Sequence, residues 1–146
     1  MDRTGKKIKA LHSTVRFKKN ASKIKVVSRD TSKLDGFSPS LALIDEIEEA
    51  PDTKMRDVME SGMGARESSC IIQIFTAGFN LEYPAYESVQ VAQEVLEGIK
   101  TDDSSLYFLY THDPDDFDEE TGFPRRETWQ KSNPNLGVSA ITHKLE

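Results

Sequence analysis

The sequence predicts an α/β fold in which helices flank a layered sheet. Short apolar runs at 41–44 and 71–75 are typical of strands that are buried on both faces. An apolar stripe at helical spacing follows them over 84–99. Strands and helices therefore alternate in the order β-β-β-α-β-α-β-α, which favours an α/β sheet over an all-β fold or a helix bundle.

Two strands joined by a turn are expected at the amino end. Segments 8–17 and 23–28 are rich in β-branched and alternating residues, and they flank a turn at Asn20-Ala21-Ser22. Residues 1–33 hold 11 Lys and Arg against 2 Asp and Glu. This basic strand pair could face nucleic acid phosphates, or its lysines could simply be solvated on a hairpin.

The middle of the chain predicts two strands around a short helix. A loop with Gly and Pro at 35–39 leads into a strand at 41–46. Asp52 or Thr53 can cap a helix that runs to about 60 and is ended by the glycines at 62 and 64. A second strand is expected at 71–76.

The rest of the chain predicts a long helix, a strand and a short helix. Pro84 suits the first turn of a helix that runs to about Ile99. The segment 106–110 has the composition of a strand, and 126–131 that of a short helix stopped by Asn133-Pro134. The acidic stretch 113–120 lacks the Gly and Glu of an EF-hand loop, so we expect a solvated loop there.

Composition indicates one modest domain of 146 residues with a formal net charge of −6 and no internal boundary. The single cysteine, Cys70, excludes an internal disulfide framework and begins an apolar run, which indicates a buried structural thiol. The histidines show no spacing typical of a zinc site. A signal peptide and a long apolar stretch are both missing, so we expect a cytoplasmic protein without a membrane partner.

Asp45 and Glu46 follow the apolar run at 41–44 directly. A buried parallel strand delivers such a pair to the carboxyl edge of a sheet, where P-loop motors handle Mg²⁺ and water, as in a Walker B motif. The alternative is a strand that ends in solvent-facing carboxylates. The phosphate loop G-x-x-x-x-G-K-[ST] is missing, since the tetrapeptide at 4–7 has no strand before it and no Ser or Thr at its end. The chain therefore carries half of a nucleotide site.

Seven short motifs from about residue 24 onward form a combined pattern. They are Leu34-Asp35-Gly36, Ser38-Pro39-Ser40, Leu43-Ile44-Asp45-Glu46, Gly62-Met63-Gly64-Ala65-Arg66, Thr76-Ala77-Gly78-Phe79-Asn80, Glu127-Thr128-Trp129 and Asn133-Pro134-Asn135-Leu136-Gly137. Together they resemble the large subunit of tailed-phage terminases. In that family a P-loop ATPase drives DNA into the procapsid, and a ribonuclease-H-like nuclease cuts the concatemer.

The resemblance implies a partial P-loop NTPase sheet of the ASCE type, without the P-loop strand and helix and without the nuclease. Residues 1–146 would then be one partial domain. It would comprise the basic strand pair at 1–33, a core with the Walker B and coupling motifs at 34–100, and an acidic loop with a closing segment at 101–146. The implied partners are double-stranded DNA, portal protein, the terminase small subunit and other copies of the chain, in the bacterial host cytoplasm.

The resemblance also implies residue roles in the hydrolysis of ATP with Mg²⁺. Asp45 would hold Mg²⁺ through water, and Glu46 would be the general base for the attacking water. Thr76-Ala77-Gly78 resembles the coupling motif that senses the γ-phosphate. Arg66 or Arg29 could stabilise charge during phosphoryl transfer, although exposed arginines more often solvate a loop.

The absence of the P-loop half of the site predicts how the isolated chain behaves. The strand at 71–76 would lie between the 41–46 strand and the absent P-loop strand, so its edge would be unpaired and prone to aggregation. We expect no ATP hydrolysis by the chain alone. The alternative is a non-catalytic remnant or split-gene module that binds partner subunits. A small DNA-binding domain is a third option, which the −15 balance of residues 34–146 opposes.

Overall fold

A computed structural model describes residues 7–28, 34, 36–76 and 80–138 of this chain. The chain divides into two compact units, Met1–Tyr86 and Glu87–Glu146. No helix in the described part is long and apolar enough to cross a membrane. The strands are β1 (Ile8–Ala10), β2 (Thr14–Phe17), β3 (Lys23–Lys25), β4 (Leu41–Asp45) and β5 (Cys70–Ile74), and the α-helices are α1 (Lys54–Met63), α2 (Pro84–Leu96) and α3 (Trp129–Ser132).

The first unit begins with an antiparallel sheet in the order β1-β2-β3. The prediction of one strand over 8–17 is wrong, because the backbone turns back at His12-Ser13, where the Leu11 amide donates to the Thr14 carbonyl oxygen at 2.8 Å. The predicted turn at 20–22 is confirmed, since Asn20 Oδ1 accepts hydrogen bonds from the Ser22 amide at 3.2 Å and the Ser22 hydroxyl at 2.7 Å.

The second sheet of this unit pairs β4 with β5 in parallel. Both strands lie within about one or two residues of their predicted bounds. Leu41 pairs with Cys70 at one end, and Asp45 pairs with Ile74 at the other. Because parallel strands run in the same direction, their carboxyl ends meet at one edge of the sheet.

One face of this sheet packs into the core. Ala42 of β4 is buried with Leu34 and with Met59 and Met63 of α1, and Ile71 of β5 packs against this cluster. Side chains alternate between the faces, so Leu41, Leu43, Ile72 and Ile74 lie on the opposite face, where each is exposed. The prediction that Cys70 is buried is wrong for the same reason, because Cys70 alternates with Ile71 and is exposed.

Helix α1 continues past its predicted end, to Met63. Gly62 lies inside the helix and does not stop it. A Cβ atom at Gly62 would lie 2.2 Å from the Phe37 carbonyl oxygen, so the missing side chain lets the helix approach the loop before β4. Gly64 is the residue that caps the helix at its carboxyl end.

Helix α2 starts at Pro84 as predicted and ends at Leu96, short of Ile99. Gly98 has φ 75°, and the Ile99 amide donates back to the Glu94 carbonyl oxygen at 2.8 Å, which closes the helix in a Schellman-type cap. The predicted short helix over 126–131 is present as a 3-10 turn, Arg126–Thr128, followed directly by α3.

One prediction for the second unit is wrong, and a second holds only in part. Segment 106–110 belongs to no strand of the described sheets, and Leu106 and Phe108 are 81% and 75% exposed. Its alternating composition favours a strand, but a strand also needs a neighbour that supplies hydrogen bonds. The acidic stretch is not a fully solvated loop, because Pro114–Asp116 forms a 3-10 turn in which Asp116 is only 5% exposed.

Candidate functional site

The predicted acidic pair lies where β4 ends. Asp45 is the last residue of β4 and pairs with Ile74, the last residue of β5, so Thr76 follows at the same edge of the sheet. Asp45, Glu46 and Thr76 are all exposed. The parallel pairing therefore brings the predicted Walker B carboxylates and the start of the predicted coupling motif to one sheet edge.

Glu46 has an unusual backbone. Its φ of 55° and ψ of 44° lie in the left-handed region, which a side chain disfavours by about 1–2 kcal/mol. Its amide donates to Asp45 Oδ1 at 3.1 Å, and the 3-10 turn Ile47–Glu49 begins immediately after it. Ile47 is buried and anchors that turn. Such strain concentrates at functional sites, where surrounding packing maintains it.

Glu48 is a site residue that sequence reasoning missed. Its Oε1 accepts hydrogen bonds from the Thr76 amide at 3.1 Å and the Thr76 hydroxyl at 2.7 Å. These two hydrogen bonds lower the pKa of Glu48 below its usual value, and the bond from the Thr76 hydroxyl has the larger effect. Oε2 is buried and has no hydrogen bond within the described residues. One more acid after Asp45-Glu46 carries no signal in an acidic sequence, so only the fold identifies this contact.

Arg66 connects two loops of the first unit. Its Nε and Nη2 donate to the Ser38 carbonyl oxygen at 3.2 and 2.7 Å, and Nε also lies 3.2 Å from Ser38 Oγ. The guanidinium thus ties the loop after α1 to the loop before β4. Arg29, Ala77 and Gly78, which the sequence analysis also assigns to the site, lie outside the described residues.

The donor set at the sheet edge fits a metal–nucleotide complex better than a free ion. Within the described ranges, no three His, Cys, Asp or Glu side chains converge as a metal site. Asp45 offers an exposed carboxylate of which one oxygen is engaged by the Glu46 amide. Mg²⁺ is usually held by one or two carboxylates together with phosphate oxygens and water. Asp45 is therefore sufficient as the protein ligand only when phosphates supply the rest.

A second polar cluster lies in the second unit. Lys131 Nζ donates to Asp113 Oδ2 at 2.6 Å and to both carboxylate oxygens of Asp116 at 2.7 Å. These bonds lower the pKa of Asp116 and raise that of Lys131. His112 Nε2 lies 2.8 Å from Ser132 Oγ, and its Nδ1 lies 3.9 Å from Asp116 Oδ2. Because the Lys131 ammonium bridges the carboxylates of Asp113 and Asp116, this cluster orders the acidic turn.

Two comparisons of the sequence with known proteins give a match. The profile described as "Terminase large subunit, ATPase domain" matches residues 3–94, which is more than half of the chain. The protein YmfN of Escherichia coli strain K12 is 36% identical over 111 residues, which are 76% of this chain and 23% of that protein.

The fold has a solved counterpart. The crystal structure of the HK97 bacteriophage large terminase superposes with a TM-score of 0.70 at 21% sequence identity, over 94% of this chain and 28% of that one. The chain thus spans about a quarter of the length of each of these two relatives. This structural likeness establishes the mixed α/β fold.

Proposed function

This chain belongs to the family of terminase large subunit ATPase domains, and from that premise we propose that it supplies the acidic half of an ATP-hydrolysing site in a motor that packages viral DNA. The observation that carries the proposal is the parallel pairing of β4 with β5, which places Asp45, Glu46 and Thr76 at one edge of the sheet. A phosphate-binding half, from another polypeptide or another part of the protein, would complete the site.

The proposed roles follow from the chemistry of each side chain. Mg²⁺, bound with ATP, would neutralise charge on the phosphates. The exposed carboxylate of Asp45 would hold that ion through water, and Glu46 would accept a proton from the attacking water. Both carboxylates are reachable from solvent at the strand end, which both roles require.

Glu48 and Thr76 support a coupling role for the end of β5. The Glu48 carboxylate ties Thr76 to the turn that carries Glu46, so a displacement of one strand end is transmitted to the other. We assign the same coupling role to Ala77 and Gly78, because they follow Thr76 in the pattern of the family. Either Arg29 or Arg66 would stabilise the transferred phosphoryl group. Arg66 binds Ser38 at the edge where β4 and β5 begin, opposite the edge of Asp45 and Glu46, so it would act on the site of a neighbouring copy of the chain.

The proposed partners are those of a packaging motor. They are double-stranded DNA, portal protein, the terminase small subunit and further copies of the chain, in the cytoplasm of a bacterial host. A partial P-loop NTPase domain of the ASCE type, with the Walker B strand next to an unpaired edge strand, is the architecture that fits these roles.

A second candidate function is a non-catalytic module that binds partner subunits. The apolar sheet face of Leu41, Leu43, Ile72 and Ile74 favours this alternative, because a parallel sheet is normally covered on both faces. This face is also what a phosphate-binding half would cover in the first proposal. The two functions therefore differ in turnover and not in the formation of a complex.

Complementation tests the first proposal. The chain is mixed with a polypeptide that carries a terminase P-loop strand and helix, and ATP turnover is measured with and without DNA. We expect turnover only from the mixture, and we expect Glu46→Gln to abolish it while Glu60→Gln, an exposed acid on α1, leaves it unchanged. A complex without turnover would establish the module instead. Turnover by the chain alone that Glu46→Gln abolishes would refute the division of the site.

A further inference from the structure

The β1–β2–β3 sheet has one basic face. Lys9 pairs with Arg16 across β1 and β2, and Arg16 pairs with Lys23 across β2 and β3. Directly paired residues point to the same side of a sheet, so these three cations form a row across it. All three are exposed. We call Lys9, Arg16 and Lys23 the basic row.

The basic row is electrostatically unfavourable within the protein. Like charges that lie directly opposite each other destabilise a strand pair. Segment 7–28 holds seven Lys and Arg and no Asp or Glu, so the sheet carries no carboxylate that could relieve the repulsion. Among the described residues, no ion pair involves a member of the row. An external anion with several charges would remove this repulsion.

The spacing of the row suits a polyanion with regularly placed charges. Neighbouring strands lie about 4.8 Å apart, so the row spans roughly 10 Å. Duplex DNA carries one negative charge per about 1.7 Å of helix axis, so several phosphates lie within that length. Two of the three members of the row are lysines, which act mainly as point charges toward phosphate. Contacts of this kind position DNA without selecting a sequence.

The opposite face of the same sheet is apolar, with Ile8, Val15 and Ile24 exposed. Peripheral membrane elements also combine a basic and an apolar face, but their apolar side is rich in Trp, Phe and Leu. Here the apolar side is mainly β-branched, and Phe17 is the sole aromatic residue of segment 7–28. Nucleic acid therefore fits the sheet better than a lipid surface.

We propose that the basic row is a contact surface for the phosphate backbone of double-stranded DNA, independent of base sequence. The proposal rests on the proposed function for the identity of the polyanion as DNA. The clustering of unopposed positive charge stands without it.

Salt-dependent binding of a DNA duplex by the full chain tests the proposal. Anisotropy of a labelled duplex of about 30 base pairs is measured between about 50 and 200 mM salt. Each phosphate contact contributes about −0.9 to the slope of log affinity against log salt. We expect Lys9→Gln with Lys23→Gln to make the slope shallower by about 1.8 and to weaken binding, equally for duplexes of different sequence.

A matched control removes the same charge elsewhere. Lys54 and Lys100 are exposed and lie outside this sheet, so Lys54→Gln with Lys100→Gln should leave the slope unchanged. Equal slopes for the two double variants, or binding to anionic vesicles that is tighter than to DNA at equal salt, would overturn the proposal. Circular dichroism verifies that both variants are folded.

The result is separable from the proposed function. Turnover of the complemented site without DNA should be insensitive to Lys9→Gln with Lys23→Gln and abolished by Glu46→Gln. If Lys9→Gln with Lys23→Gln leaves the salt slope of DNA binding unchanged while turnover is normal, this inference alone fails. If the double variant makes the salt slope shallower as expected but the complemented site shows no turnover, the proposed function alone fails.

Discussion

Glu48 accepts two hydrogen bonds from Thr76 through a single carboxylate oxygen, from the amide at 3.1 Å and from the hydroxyl at 2.7 Å. The two residues are 28 positions apart in the chain. Their contact connects the turn after β4 to the end of β5, and the other Glu48 oxygen is buried. The edge of the sheet that carries Asp45 and Glu46 is thus held by a side chain that is not itself a proposed catalytic group.

Removal of the Thr76 hydroxyl should loosen this edge. Thr76→Val keeps the shape and the amide bond but loses the donor to a charged acceptor, so we expect a loss of about 1 kcal/mol of unfolding free energy. Chemical denaturation of the variant and of Thr101→Val, an exposed threonine outside the site, measures the difference. An equal effect of the two substitutions would show that the Glu48 contact contributes nothing to stability.

The Glu48 contact also predicts a pH dependence. The pKa of Glu48 is lowered in the folded protein, chiefly by the Thr76 hydroxyl, so the unfolded chain binds a proton more readily. The stability from this carboxylate is therefore fully present above the unfolded pKa of about 4.3 and is lost as pH falls through the lower folded value. Denaturation from neutral pH downward should show the gap between wild type and Glu48→Gln narrowing below about pH 4.3. A constant gap would contradict this assignment.

The left-handed backbone of Glu46 predicts that this residue lowers the stability of the protein while it serves the proposed activity. Gly adopts φ 55° without strain, whereas Ala retains the side-chain penalty. Glu46→Gly should therefore be more stable than Glu46→Ala by about 1 kcal/mol, measured by thermal and urea denaturation. Both variants lack the proposed general base, so neither should support turnover in the complemented site. Equal stability of the two variants would show that the conformation relaxes freely.

Gly62 offers a test of the packing between α1 and the loop before β4. Ala is the better helix former by about 1 kcal/mol, but its Cβ would lie 2.2 Å from the Phe37 carbonyl oxygen. We expect the clash to prevail, so that Gly62→Ala lowers the unfolding free energy by about 1–3 kcal/mol.

Gly64 is the matched control for this substitution. It has φ −56° at the helix end, and a Cβ there would meet only the Ser61 carbonyl oxygen at an ordinary 3.5 Å. Gly64→Ala should be neutral or slightly stabilising in the same denaturation experiment. A Gly62→Ala variant as stable as Gly64→Ala would mean that the loop shifts at no cost.

The elements that sequence reasoning located well are those whose signal is local. Continuous apolar runs identified β4 and β5, and the proline at 84 identified the start of α2. Pairing depends on residues far away in the chain, so the composition of 106–110 predicted a strand that the described sheets do not contain. Alternation explains the error at Cys70, because a strand with one covered face exposes every second residue.

The candidate site divides in the same way. Asp45 and Glu46 could be predicted because they follow a continuous apolar run directly. Glu48 was not, because its role depends on the proximity of Thr76, which only the parallel pairing creates. Asp116 appeared as one of many acids, and its hydrogen bond with Lys131, 15 residues further along, exists only in the folded chain. Contacts between distant polar residues carry no periodic signal in a single sequence.

The Asp113–Asp116–Lys131 cluster gives the last prediction. Lys131→Met removes the cation that pairs with the buried carboxylate of Asp116, and an unpaired buried charge destabilises a fold more than loss of the whole pair does. We expect Lys131→Met to lower the melting temperature more than Asp113→Asn, which removes only the exposed acid. The double variant Lys131→Met with Asp116→Asn should recover part of the loss.

The pH dependence of this loss follows from the two pKa shifts. Hydrogen bonds from Lys131 lower the pKa of Asp116, so that contribution is present above about pH 3.9 and disappears as pH falls through the folded value. Bonds to Asp113 and Asp116 raise the pKa of Lys131, so its contribution is present below about pH 10.4 and disappears as pH rises through the raised value. The difference in melting temperature between wild type and Lys131→Met should therefore be largest near neutral pH and shrink at both extremes. A difference that does not vary with pH would show that Lys131 stabilises the turn by packing of its methylene chain and not by its charge.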